Sequence, residues 1–293
     1  MELQSRVNDL REKGLGLAAI SYDAPEILAA FSRQRGITFP LLSDAGSATI
    51  EKYGILNPVP EWATGPDKDD PAVQAEVQKY VSVVRANPSM VGIAFPGTFI
   101  LDRQGKVTSR FFENFYIERN TVASLMMRLG NGRTPIAGTK ISTGQLDIIT
   151  YPSDPAIAPG NRFSLALVVT PHSGIHVYAP GASNYRVIAL KIEPQPFLRV
   201  LPMKYPASEI YFFKPLNERV AVYDKPFTMV QDVVLEGTPQ AQAAFRGKES
   251  VMLTGALEYQ ACDDKICFNP ASVPLSWTLS LRPLVVERPT RPQ

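Results

Sequence analysis

The sequence predicts two domains of different class, an α/β layer domain followed by an antiparallel all-β sandwich. Three observations carry this. In the first half, apolar residues recur at helical spacing in segments that alternate with short apolar runs of strand length. In the second half the period drops to two, over about seven short segments separated by Pro and Gly turns. Between them, Gly130-Asn-Gly-Arg-Thr-Pro-Ile-Ala-Gly138 has the composition of a connection between domains. The expected layout is a first domain at 1–130, a linker at 131–141, a second domain at 142–282 and a loose tail at 283–293.

Leu3, Val7 and Leu10 share a helix face, with Gly14 as the residue that ends it. Leu15 to Ile20 is a strand-length apolar run. Asp23 and Glu26 have the spacing of a capping box, and Ile27, Leu28 and Phe31 form the buried stripe of the next helix, closed by Gly36. A short helix from Ser47 to Tyr53 ends at Gly54. Asp70-Pro71 is an N-cap and N1 pair for a helix carrying Val73, Val77, Tyr80, Val81 and Val84. Thr98–Leu101 and Lys106–Phe111 are two strands around the Asp102-Arg-Gln-Gly105 turn, and a helix from Asn120 to Leu129 closes the domain. The first helix begins at the first residue with no cap before it, so a preceding segment is expected.

The second half alternates. Phe163, Leu165, Leu167 and Val169 lie on one face of a strand, as do Ile188, Leu190 and Ile192. Phe227, Met229 and Val233, then Val251, Leu253, Leu257 and Tyr259, repeat the pattern. Val273, Leu275, Trp277, Leu279 and Leu281 make the last strand, and Trp277 and the Phe163 stripe are read as core.

Composition narrows the function. Hydrophobic content of 45% and charge of 20% suit folded domains with real cores. The net charge of +2, with acids and bases interspersed, gives no electrostatic footprint for nucleic acid. No apolar run approaches the roughly 20 residues of a membrane-spanning helix, so no stable membrane insertion is expected. The start lacks the charged-then-apolar layout of a signal peptide.

Cys262 and Cys267 are the only cysteines, in Tyr259-Gln-Ala-Cys-Asp-Asp-Lys-Ile-Cys-Phe-Asn-Pro270. A strand runs into the pair and a proline-bounded turn closes it. Two thiols that near each other across a tight loop can bond without moving the backbone. A staple across so short a loop stabilises by only about 2 kcal/mol, and a domain with this many apolar strands does not depend on it. The reading carried forward is a redox-active pair. A structural staple, a metal site and idle thiols are the alternatives. Asp263 and Asp264 disfavour thiolates and Lys265 favours them, so the pair suits exchange with a more reactive partner thiol. His172 and His176 do not have zinc-ligand spacing with the cysteines, so no metal and no cofactor is expected. His176 is read as a hydrogen-bonded structural residue.

Two resemblances bear on these readings. Gly14-Leu-Gly-Leu-Ala-Ala-Ile-Ser-Tyr-Asp23, Phe31-Ser-Arg-Gln-Arg-Gly-Ile-Thr-Phe-Pro-Leu-Leu-Ser-Asp44 and Phe95-Pro-Gly-Thr-Phe-Ile-Leu-Asp-Arg-Gln-Gly-Lys-Val107 together resemble the redoxin superfamily, the thioredoxin-like fold of the alkyl hydroperoxide reductase/thiol-specific antioxidant family. The resemblance covers about residues 1–130. Its reactive cysteine belongs at the start of the opening helix, where this chain has none. An arginine often precedes the Gly-Thr-Phe step in peroxidase members. Here the position is Pro96, which resembles the cis-proline of thioredoxin-type reductases. Negligible hydroperoxide turnover is therefore expected.

Ile175-His-Val-Tyr-Ala-Pro-Gly181, Tyr185, Tyr205-Pro206 and the cysteine segment are similar to the amino-terminal domain of DsbD-type thiol:disulfide interchange proteins, over about 142–282. The resemblance implies an immunoglobulin-like sandwich whose two cysteines pass electrons between a membrane-linked donor and periplasmic acceptors. It also implies an aromatic cap over the disulfide, for which Tyr211-Phe-Phe-Lys-Pro-Leu-Asn217, with Tyr211, Phe212 and Phe213, is the candidate. The expected function is a thiol:disulfide oxidoreductase component working through Cys262 and Cys267 with a thioredoxin-like or membrane-linked redox partner, its redoxin half a docking or donor module. A binding module with a structural disulfide is one alternative. A peroxiredoxin-type antioxidant protein whose reactive cysteine lies upstream is the other.

Overall fold

The structure is a computed structural model that describes residues 2–78, 88–112, 118–128, 138–213 and 217–283. The expected helix positions Tyr80, Val81 and Val84, nearly all of the linker and the tail beyond Pro283 lie outside the described residues. The described chain divides into two compact units, 2–122 with 237–244, and 123–236 with 245–283. Among the described residues no helix is long and apolar enough to cross a membrane.

The first unit opens with α1 (Glu2–Ser5) and α2 (Val7–Glu12), then β1 (Ala19–Ser21), α3 (Pro25–Arg35), β2 (Leu41–Ser43), α4 (Ala48–Lys52), α5 (Val59–Thr64) and α6 (Pro71–Gln78). A hairpin of β3 (Gly97–Leu101) and β4 (Val107–Phe112) follows, then the short β5 (Arg119–Asn120). Val7 and Leu10 are buried, and Gly14 takes the left-handed conformation just past the end of α2. Pro25 sits in the first turn of α3, and Gly36 closes it with φ of 60°. The hairpin turn is held by Asp102, whose carboxylate accepts the N–H groups of Gln104 and Lys106 at 3.0 and 2.9 Å.

Three local expectations are corrected. The capping box is absent: Ala24 is the N-cap of α3 without a side-chain bond, because Asp23 lies one residue too early and accepts the Ser21 hydroxyl instead. Of the α3 stripe only Leu28 is buried, and Ile27 is 57% exposed. The apolar run from Leu15 forms a strand only at Ala19–Ser21, where β2 lies alongside it in parallel, Ala19 opposite Leu41. At α4 the amides of Thr49 and Ile50 are answered from outside the helix by Asp44, at 2.9 and 2.8 Å.

The second unit runs α7 (Val122–Arg128), β6 (Thr139–Ser142), β7 (Leu146–Pro152), β8 (Ala156–Ile157), β9 (Asn161–Pro171), β10 (His176–Tyr178) and β11 (Ala189–Ile192). Then come β12 (Leu198–Val200), β13 (Glu209–Phe213), β14 (Glu218–Tyr223), β15 (Phe227–Leu235), α8 (Pro239–Phe245), β16 (Ser250–Tyr259), β17 (Ala261–Cys262) and β18 (Ala271–Leu281). Most of α8 belongs to the first unit. Among the described residues the strands of the second unit pair in the orders β12-β15-β9-β7-β6, β11-β16-β18-β8 and β13-β14-β10-β17. They form an immunoglobulin-like sandwich. Phe163, Leu165, Leu167, Leu253 and Leu257 are completely buried in its core, and Trp277 donates its indole N–H to Thr150 Oγ1 at 2.9 Å. The period-two readings of β9, β15, β16 and β18 are the ones that fill this core.

The two units differ in how well their sheets are closed. In the first, β1–β2 and β3–β4 are separate two-stranded sheets, and Ile20, Leu42, Leu101 and Val107 remain exposed. Two-stranded sheets are marginal by themselves, whereas sheets of three or more strands over an apolar core are not. Amide hydrogen exchange is expected to be at least about tenfold faster in Ala19–Ser21 than in Leu253–Leu257. Equal protection in both segments would show that the first unit is stabilised by something other than its sheets.

Candidate functional site

The cysteines come together because β16 continues through Tyr259 into β17, and the chain turns back at once. Cys262 and Cys267 face each other as an antiparallel bridge, with a disulfide of Cα–Cα distance 4.1 Å. The four-residue turn is held by Asp263, whose carboxylate accepts the amides of Lys265 and Ile266, both at 2.7 Å. Those two amides, with the Lys265 charge as a smaller contribution, keep the Asp263 carboxyl below the usual carboxylate range. A fixed negative charge therefore sits beside the sulfurs.

The two sulfurs are not equivalent. Cys262 is 1% exposed, whereas Cys267 lies on the surface. Across β10, Tyr178 points its hydroxyl at both, 2.9 Å from Cys262 Sγ and 3.3 Å from Cys267 Sγ. Disulfide sulfurs carry no proton, so the phenol donates. Tyr178 stacks on Tyr185 with ring centroids 4.0 Å apart, and Tyr185 donates to Glu218 Oε2 at 2.7 Å. Burial, reinforced by Tyr185, Glu218 and Tyr211, pushes the Tyr178 phenol well above its ordinary value, so it remains a donor across the physiological range. His176 is opposite Cys262 across the β10–β17 pairing and 6% exposed. Burial holds its imidazole below the ordinary histidine value.

The predicted residues fall as follows. Cys262 and Cys267 are joined, and Asp263 and Lys265 line the same cleft, while Asp264 is an exposed turn residue. Tyr211–Phe213 form strand β13 and not a loop, because their alternation pairs them with Glu218–Val220 of β14. Tyr211 and Phe213 consequently face the cleft. Phe212, 42% exposed, lies on the other face with the Arg219 guanidinium 5.5 Å from its ring centre. The next three residues of the candidate cap, Lys214 to Leu216, lie outside the described residues. Pro96 belongs to the first unit and its peptide bond is trans. The cis-proline expected there is corrected: trans is the default of an X–Pro bond, and the pairing of Phe95 N–H with Ile55 C=O leads the chain directly into β3.

Tyr178 and Tyr185 belong to the motif that carries the DsbD-type resemblance but have no site role in the sequence, Glu218 has no place in it at all, and the expectation for His176 is a hydrogen-bonded structural residue. Its ring makes no hydrogen bond to the described residues; it packs against Tyr211 at 4.6 Å and edge-on to Tyr178 at 5.7 Å. The signal available was period two, which puts His176 and Tyr178 on one face of a strand. What that face meets was not available. His172 instead contacts the Gly144 carbonyl at 3.2 Å and Asp147 at 3.4 Å.

Residues 1–110 match the AhpC/TSA family, and residues 150–274 match the family described as thiol:disulfide interchange protein DsbD, N-terminal. The first part of the chain is thus similar to redoxins and the second to the N-terminal domain of DsbD. Cys262, Cys267, Tyr178 and Tyr185 all lie within the DsbD match. Two Mycobacterium tuberculosis proteins that carry a provisional peroxiredoxin name, from strains CDC 1551 / Oshkosh and ATCC 25618 / H37Rv, are 27% identical over 106 residues. That alignment takes in 36% of this chain and 52% of theirs, so the chain spans about half the length of the curated relatives it matches. The N-terminal periplasmic domain of ScsB from Proteus mirabilis aligns over 46% of this chain and 49% of its own, at 11% identity and a TM-score of 0.34. The Neisseria meningitidis DsbD N-terminal domain in the reduced form aligns over 40% and 81%, at 16% identity and 0.27.

Proposed function

We propose that this DsbD-type sandwich, taken as 142–282, is a thiol:disulfide exchange module that passes electrons to or from a redox partner protein, thioredoxin-like or membrane-linked, through Cys262 and Cys267. The asymmetry of the pair carries the reading: one cysteine is an exposed residue, and the other is buried under a hydroxyl that keeps its proton at neutral pH. A partner thiolate attacks Cys267 Sγ, the S–S bond breaks, and the electron pair leaves on Cys262 Sγ. Tyr178 already donates to that sulfur, so the charge develops where a hydrogen bond is in place. In the reverse direction the Cys267 thiolate attacks a partner disulfide and Cys262 resolves the mixed disulfide. Tyr211 and Phe213 over the cleft restrict access to partners that can displace or straddle them. The redoxin segment has no cysteine of its own and serves in this reading as a docking module.

The deciding measurement is the reduction potential of the pair, by equilibration against defined dithiol/disulfide ratios and alkylation. Structural disulfides lie below about −300 mV and exchanging ones above. A value in the structural range would leave the bond as a staple in a binding module.

Tyr178→Phe should slow exchange with a thioredoxin-type dithiol by about tenfold to a hundredfold, the effect of one hydrogen bond to a developing charge. Circular dichroism should show no loss of fold. A rate within about twofold of the parent would remove Tyr178 from the mechanism.

A further inference from the structure

We propose that the His176 imidazole is the proton acceptor for the Cys262 thiol when the reduced pair closes. The inference rests on the exchange reading above and adds a catalytic residue to it.

The chemistry creates the requirement. After the Cys267 thiolate has formed a mixed disulfide and expelled one partner sulfur as a thiolate, Cys262 must attack Cys267 Sγ. Its sulfur is buried and starts as a thiol, and only the thiolate is nucleophilic. The S–H proton passes to an imidazole nitrogen, the Cys262–Cys267 bond forms, and the second partner sulfur leaves with the electron pair. The partner disulfide has become a dithiol, the dithiol of this chain a disulfide, and the imidazolium returns its proton to solvent.

His176 is placed to take that proton. It is directly opposite Cys262 in the β10–β17 register, where same-face Cβ atoms lie about 4.5–5.5 Å apart. It shares its strand face with Tyr178, whose hydroxyl touches both sulfurs, so the imidazole, Tyr178 and the two cysteines line one cleft. With no hydrogen bond to the described residues, the ring keeps a nitrogen lone pair to offer. The other polar groups there are poor acceptors. Tyr178 is a donor and Lys265 a cation, and the two amides on Asp263 Oδ1 hold that carboxyl below its usual range, which makes it a weak base.

The groups facing His176 set its titration. Tyr211 covers it from β13 and Tyr178 from its own strand; Asp224 follows β14, and Asp263, Asp264 and Lys265 belong to the cysteine turn. Burial lowers the imidazole more than Asp224 and Asp263 raise it, which leaves the ring neutral and able to accept a proton at neutral pH.

The test uses the full chain, reduced and desalted, mixed with an aromatic disulfide whose leaving thiolate is coloured. Attack by Cys267 releases the first equivalent and ring closure by Cys262 the second. In the parent protein the closure rate should rise with pH through an inflection below the ordinary histidine value, then stay flat until the thiol itself ionises. His176→Gln should slow closure about a hundredfold at neutral pH and make its rate climb log-linearly with pH, while the first phase changes by less than about twofold. Added imidazole should restore part of the loss. A parent closure rate that climbs without an inflection up to thiol ionisation overturns the proposal by itself, whether or not the variant folds. So does an unchanged closure rate in a folded His176→Gln protein. Failure of the parent pair to close at all would instead overturn the exchange reading.

Discussion

Cys262→Ser should accumulate a stable mixed disulfide with a thioredoxin-type partner, whereas Cys267→Ser should trap almost none. Cys267 is on the surface; Cys262 is 1% exposed, beneath the Tyr178 hydroxyl and beside the buried His176. With Cys262 replaced, the exposed thiol still captures a partner sulfur and nothing resolves the adduct. With Cys267 replaced, the remaining thiol cannot meet a protein partner unless Tyr211 and Phe213 move aside. The difference in adduct should exceed about tenfold, since rates of thiol exchange follow access as well as thiolate fraction. Turnover should be lost in both variants, because each half of the cycle uses one sulfur as nucleophile and the other as leaving group. Mass spectrometry of the non-reduced mixture measures the adduct. Equal trapping by the two variants, or more by Cys267→Ser, would reverse the assigned roles.

Asp232→Ala should destabilise the sandwich unit by about 2–4 kcal/mol, somewhat less than the full cost of breaking a buried ion pair because the partners are partly exposed. Asp232 lies on β15, its side chain 14% exposed, and pairs with two arginines that are each 18% exposed. Arg128 reaches it from α7 with Nε at 3.0 Å and Arg162 from β9 at 3.0 Å; Ser164 donates its hydroxyl at 2.8 Å. Removing the carboxylate leaves two guanidinium groups close together without their shared counter-charge. It also releases α7, which Ser124 and Arg128 hold against the sheet. Asp232→Asn keeps acceptor capacity and should lose less. Urea unfolding monitored by Trp277 fluorescence provides the midpoint. A loss below about 1 kcal/mol would mean that the cluster is solvated like a surface pair.

The sequence by itself determined both fold classes, and it did so where the physics is local. The period of two in Phe163–Val169 and Val251–Tyr259 leaves one face apolar, and such a face must be buried whatever covers it. Gly36 and the Asp102–Gly105 turn mark where the chain reverses for equally local reasons. The cysteine pair was legible too, because a turn of four residues leaves its two sulfurs no distant alternative. The failures are of the same kind as the successes. Asp23 and Glu26 had the spacing of a cap, but the helix start was decided by Pro25, and Ile27 had the spacing of a core residue without a neighbour to bury it. Tertiary structure alone decided the site. Tyr178 meets the sulfurs from a strand more than eighty residues away in the chain, and His176 stands opposite Cys262 only because β10 pairs antiparallel with β17. A strand's own sequence specifies which of its side chains share a face, whereas the neighbour that face meets is set by pairing between distant segments. The chemistry of this chain lies in those pairings.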